Sequence, residues 1–137
     1  MIIARIASLL IGYIFGLFQT AYIYGKSKGI DIRKEGSGNA GTTNSLRVLG
    51  GKAGAVTFLG DLFKAIFAVL LIKLIFTNTY ADATKVLELY AGFGSVLGHN
   101  FPFYLQFKGG KGIACTSGAI LAVCPLAAPI CLILFIL

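Results

Sequence analysis

Charge is scarce in this sequence. Asp, Glu, Lys and Arg make up 12% of its residues, where a soluble domain carries about 25%. That deficit excludes a surface covered on all sides by water. Cysteine is limited to Cys115, Cys124 and Cys131. All three lie in the last apolar segment and none is spaced as a CxxC pair, which points to buried thiols and away from disulfide or metal chemistry. The one histidine, His99, has no cysteine or carboxylate at ligand spacing, so no metal is expected. A GxSxG nucleophile elbow is missing, and with it any argument for a Ser-His-Asp triad. The nucleotide P-loop fails as well. Ahead of Gly25-Lys26, Gly51-Lys52 and Gly110-Lys111 the first glycine is replaced by Thr20, Leu46 and Leu105, although that motif needs it. No basic groove interleaved with aromatics is present, so the net charge of +7 does not point to nucleic acid.

What the chain has is oil. Its hydrophobic fraction is 57%, its mean hydropathy is +0.86, and its 137 residues leave room for about four spanning helices of roughly 20 residues each. The expected fold is all-α, a polytopic integral membrane helix bundle forming a single membrane domain over 1–137. The spans are expected at 6–24, 54–76, about 86–98 and 113–137, with kinks at Pro125 and Pro129 in the last. A signal peptide is the rival reading of the first run, but the run is long and lacks a small-x-small cleavage site. Gly12 and Gly16, and again Gly94 and Gly98, stand four apart, a spacing that lets helices pack closely. Asp61 and Lys64 lie inside the second span on one helix face and should turn from lipid toward protein or a polar cavity. The chain stops at Leu137 inside an apolar run without a polar flank, as expected of a chain missing a C-terminal part.

Charge sets the orientation. The 25–53 loop holds Lys26, Lys28, Arg33, Lys34, Arg47 and Lys52 against Asp31 and Glu35, and the 99–112 loop holds Lys108 and Lys111. The intervening 77–85 turn balances Asp82 against Lys85. Basic loops stay in the cytoplasm, which puts the N-terminus outside and both loops on one side, where they can build one site.

Both loops have the composition of anion sites. In "FKGGKG" the glycines Gly109, Gly110 and Gly112 let backbone N–H groups approach a phosphate, while Lys108 and Lys111 supply point charges. A helix opening at Gly112 or Ile113 adds its positive end. "GSGNAGTTNSLRVLGG" offers hydroxyls, the amides of Asn39 and Asn44, and the planar fork of Arg47. Thr42 or Thr43 is the expected N-cap of a helix there. Taken alone, this stretch is equally well a turn-rich loop whose Asn and Ser side chains cap their own backbone. His99 suits proton transfer near neutrality. An organic-phosphate transporter, or a non-catalytic protein binding anionic lipid, could present the same loops.

The sequence resembles the bacterial membrane glycerol-3-phosphate acyltransferases that take their acyl chain from acyl phosphate. "DIRKEGSGNAGTTNSLRVLGGKAG" is similar to that family's first motif and its flanks, "GHNFPFYLQFKGGKG" is similar to its second, and "GDLFK" in the second expected span also resembles the family. The resemblance implies a fold with more than four spans in the bacterial cytoplasmic (inner) membrane, and acyl transfer to the 1-hydroxyl of glycerol 3-phosphate without a cofactor. The implied partners are acyl phosphate, glycerol 3-phosphate and membrane lipid, but neither coenzyme A nor acyl carrier protein. In agreement, His99 is followed by Tyr104 where thioester-dependent enzymes have His-x4-Asp. The reading expects Ser37, Arg47 and His99 to act in catalysis, and Asn39, Asn44, Lys108, Gly109, Gly110, Lys111 and Gly112 to bind substrate. The family's third motif, with a His, an Asn and a Glu, has no counterpart before Leu137.

Overall fold

A computed structural model of the chain describes residues 1–136; Leu137, the last residue of the expected fourth span, lies outside them. Seven α-helices are described: α1 (Ile2–Gly16), α2 (Thr20–Ser27), α3 (Thr42–Leu49), α4 (Gly51–Phe76), α5 (Thr84–Asn100), α6 (Ile113–Val123) and α7 (Ala127–Ile136). No strand occurs among the described residues.

The helices are apolar on the outside and small or polar within. On α1, Ile3, Ile6, Leu10 and Ile14 are exposed at helical spacing, and on α4 so are Leu59, Phe63, Phe67, Leu70 and Leu74. The opposite faces bury Ala4, Ser8, Gly12 and Gly16 on α1, and Asp61, Lys64, Ala65, Ala68 and Ile72 on α4. A soluble helix would show the reverse pattern. Two stretches, Ile2–Ser27 and Gly51–Phe76, are long and apolar enough to cross a membrane. Helix α5 has 17 residues, at the short end of the spanning range of about 17–25.

The glycines at four-residue spacing form the seam between α1 and α5. A Cβ added at Gly12 would collide with the Ala91 carbonyl oxygen, one at Gly16 with that of Ser95, one at Gly94 with that of Leu9, and one at Gly98 with that of Tyr13. Backbone therefore meets backbone along the whole seam, which only glycine permits. Contacts advance in the same direction on both helices, so α1 and α5 run parallel. Their C-terminal ends, and the basic loops that follow, lie at one end of the bundle, as the charge pattern requires.

Four expectations are corrected. The first span is interrupted at Leu17–Gln19, between α1 and α2, which frees carbonyls that lipid cannot satisfy. Side chains take them instead: the Tyr104 hydroxyl donates to Leu17 O at 2.6 Å, Lys64 Nζ to Phe18 O at 2.6 Å, and Gln19 Nε2 to Gly16 O at 3.3 Å. The N-cap of α3 is Gly41, with no side-chain cap, in place of Thr42 or Thr43. In the last segment the chain breaks at Cys124–Leu126 around Pro125. Pro129 is the third residue of α7, where a missing N–H costs nothing because first-turn N–H groups have no partner within the helix. Helix α5 also extends two residues past Gly98, so His99 sits in its last turn and is buried.

Candidate active site

Between the two loops lies a cavity of about 460 Å³. The first loop and α3 contribute Ser37, Asn39, Gly41, Thr42, Thr43, Asn44 and Arg47 to its wall. Helix α4 contributes Phe58 and Asp61, α5 contributes His99, and the second loop with the start of α6 contributes Lys111, Gly112, Ile113 and Ala114. Seven of the ten expected site residues thus meet on one cavity. Lys108, Gly109 and Gly110 are not part of its wall.

Two helix N-termini open on this cavity, those of α3 and α6, and neither has a side-chain cap. The first bond of each helix starts one turn in, from Ser45 N to Gly41 O and from Thr116 N to Gly112 O. The preceding N–H groups carry the positive end of each helix dipole toward the cavity, a ready arrangement for phosphate. Arg47 and Lys111 add two full charges. Arg47 is exposed, and its side chain makes no hydrogen bond or ion pair among the described residues.

The glycines of the second loop act differently from one another. Gly112 takes the left-handed conformation (φ 77°) as N-cap of α6, which an L side chain adopts only with strain. Gly109 and Gly110 are needed for close approach. Their N–H groups donate to Asn100 O and His99 O, both at 3.1 Å, so they are engaged in holding the end of α5. A Cβ at Gly109 would strike the His99 carbonyl, and one at Gly110 would strike His99 Nε2.

Asn44 is buried and holds the first loop together. Its Oδ1 accepts from Ser37 N at 2.9 Å, and its Nδ2 donates to Ile32 O at 3.2 Å and Glu35 O at 3.0 Å. Both amide hydrogens are used, which leaves none for a ligand. Arg33 ties this loop to the other. It grips Asp31 with two bonds of 3.0 and 2.8 Å, lies over the Tyr22 ring at 5.0 Å, and donates to Leu105 O at 3.2 Å. Those charge-assisted bonds hold the Asp31 carboxyl down at about 2, so Asp31 remains an anionic anchor throughout the physiological range.

Beneath the cavity the α4 pair meets α5. Lys64 Nζ lies 2.9 Å from Asp61 Oδ1 and 2.9 Å from His99 Nδ1, and Thr20 Oγ1 donates to Asp61 Oδ1 at 3.2 Å. The ligand atoms of Asp61, His99 and Cys115 gather within 4.8 Å. The Lys64 ammonium already stands among them as the cation, which makes the group a poor metal cage. The sequence identified this pair but did not place it at the site. The link to His99 spans 35 residues and depends on how α5 sits against α4.

The family model for glycerol-3-phosphate acyltransferase matches residues 6–137. A glycerol-3-phosphate acyltransferase of Clostridioides difficile is 45% identical over 141 residues, covering 99% of this chain and 67% of the relative. The backbone is similar to a crystal structure of PlsY (YgiH), an integral membrane glycerol 3-phosphate acyltransferase, in its glycerol 3-phosphate form. The TM-score is 0.81 at 34% identity, covering 96% of this chain and 64% of that one. The lysophosphatidic acid form gives a TM-score of 0.77 at 34% identity, covering 94% and 61%. The chain thus spans about two thirds of the length of these relatives. With the lipid-facing stripes of α1 and α4, the likeness makes this a multi-pass membrane protein.

Proposed function

We propose, for a chain that belongs to the glycerol-3-phosphate acyltransferase family, that the cavity is the anion-binding part of an acyl-transfer site using acyl phosphate as donor. The observation that carries this reading is the convergence of two uncapped helix N-termini, Arg47 and Lys111 on one cavity. One positive helix end and one cation are available for each of two anions. Glycerol 3-phosphate sits with its phosphate at the α6 end, on Lys111 and the Gly112 backbone. The acyl phosphate group sits at the α3 end, on Ser37, Asn39 and Arg47. Asn44 holds Ser37 in place, and Gly109 and Gly110 hold His99. Lys108 contributes charge from outside the wall.

Acyl phosphate is a mixed anhydride, so no covalent enzyme intermediate is needed. The 1-hydroxyl oxygen attacks the acyl carbon, the bond from that carbon to the phosphate oxygen breaks, and the departing phosphate takes up the hydroxyl proton. Lysophosphatidate and hydrogen phosphate result, and the equation balances without a cofactor. The protein acts by holding two mutually repelling anions in contact and stabilising the charge that develops on the acyl oxygen and the leaving phosphate. Both loops face the cytoplasm of a bacterial cell, with the N-terminus outside, in one membrane domain.

The purified chain in sealed vesicles tests this. Labelled glycerol 3-phosphate should become labelled lysophosphatidate when acyl phosphate is supplied and not when acyl coenzyme A replaces it. Label that crosses the membrane unchanged would identify a carrier and overturn the reading.

A further inference from the structure

The buried contact between Lys64 and His99 decides which edge of the imidazole faces the cavity. An ammonium has three hydrogens and no acceptor. Lys64 Nζ has three acceptors around it: Asp61 Oδ1 at 2.9 Å, Phe18 O at 2.6 Å and His99 Nδ1 at 2.9 Å. The count closes when each hydrogen serves one acceptor. His99 Nδ1 must then present a lone pair. Asp61 Oδ1 stands 3.6 Å from Nδ1, beyond hydrogen-bond range, and Nδ1 has no hydrogen-bond partner but Lys64 among the described residues. The ring is therefore neither an imidazolium nor the Nδ1–H tautomer, and its hydrogen is on Nε2.

His99 lines the cavity while Lys64, which takes Nδ1, does not. The Nε2 edge lies over Gly110, whose missing side chain would fill that space, and Nε2 makes no hydrogen bond among the described residues. We infer that Lys64 is a positioning residue that fixes His99 in the Nε2–H form, so that His99 serves the cavity as a hydrogen-bond donor to a phosphate or acyl-phosphate oxygen and not as a base. The role of that donor in turnover rests on the acyl-transfer reading above; the tautomer does not. Three further features support the arrangement. The break at Leu17–Gln19 supplies the Phe18 carbonyl that Lys64 needs. Thr20 and Lys64 share Asp61 Oδ1. The Cys115 thiol donates its one hydrogen to the Asp61 backbone oxygen at 3.2 Å, so it has none for His99 Nδ1.

His99 is the only histidine in the chain, so nitrogen-15 histidine labelling of the full chain in lipid nanodiscs reports this ring alone. Nε2 couples to both ring carbon-bound protons and Nδ1 mainly to one, which identifies each nitrogen. The expected spectrum has a protonated Nε2 and a bare Nδ1, and inorganic phosphate should shift the Nε2–H resonance. A protonated Nδ1 in the parent protein, or phosphate that leaves the ring signals unmoved, overturns the inference. Lys64→Met should release the tautomer; Lys64→Arg, which keeps a cationic donor, covers the case in which Met prevents folding. In the transfer assay His99→Gln, which keeps an N–H donor but cannot exchange a proton, should stay within about tenfold of the parent, and His99→Ala should lose about 100-fold. Equal loss in both variants would assign His99 to proton transfer and overturn the donor role. If the parent shows the Nε2–H form but makes no lysophosphatidate, the tautomer assignment stands and the acyl-transfer reading alone fails.

Discussion

Replacing Arg47 with alanine is expected to lower acyl transfer by about 100-fold or more, with helix content, membrane insertion and protein level unchanged. The two halves of this expectation have separate causes. Arg47 lies on α3, exposed, on the cavity wall, and no protein group among the described residues leans on it. Its removal leaves no orphaned partner, so the fold loses little. A guanidinium beside a departing phosphate matters most as the bond breaks, and charge stabilisation of that kind is stronger in the transition state than in the bound substrate. The loss should therefore appear in kcat at saturating glycerol 3-phosphate. Lysine restores the charge without the planar two-point fork, and Arg47→Lys should recover only part of the rate. Membranes normalised for protein, assayed with acyl phosphate, check this; a rate near that of the parent would remove Arg47 from the site.

The second large effect lies in the fold. Gly98→Leu should separate α1 from α5. Even a methyl group at Gly98 meets the Tyr13 carbonyl, and the obstacle is backbone, which cannot rotate away. Overpacking costs about 1–3 kcal/mol where side chains can adjust; against a backbone seam the cost should reach or exceed the top of that range. The seam also aligns the two loops, so the site should fail with it. Thermal or detergent titration of helix content should show a lower midpoint, and ligand should not restore it. An unshifted midpoint would contradict the parallel α1–α5 packing. The same substitution at Gly50, which has nothing within 4 Å of an added Cβ but takes φ 87°, tests backbone strain in place of collision.

Much of this arrangement can be read from composition and spacing. The glycines four apart mark the α1–α5 seam because close helix contact needs small residues at one-turn intervals. The basic loops share an end because two crossings separate them. Asp61 and Lys64 pair because they lie one turn apart in an environment that tolerates neither alone. The features that are not legible depend on register between elements. The interruption at Leu17–Gln19 lies within a run whose hydropathy barely changes, and it holds because Lys64 and Tyr104, far away in sequence, satisfy carbonyls that it frees. Nor does glycine content reveal that Gly109 and Gly110 serve His99 while Gly112 caps α6; the same three letters perform different tasks according to what lies above them. Asn44 follows the same rule. Its type suggests a ligand, yet its neighbours Ile32, Glu35 and Ser37 use its amide.

The central claim is that one shared cavity, and not the general positive charge of the loops, binds the substrate phosphate. Lys108 and Lys111 separate these alternatives. Both are exposed and three residues apart on one loop, but only Lys111 is on the wall. Calorimetric titration of glycerol 3-phosphate into the chain in nanodiscs should show Lys111→Ala weakening binding by about 10-fold or more, as loss of a charge-assisted contact of about 1.5–3 kcal/mol requires. Lys108→Ala should cost no more than the roughly 0.2–1 kcal/mol of a surface charge. Equal weakening by the two variants would contradict the account and reduce both loops to a diffuse basic surface.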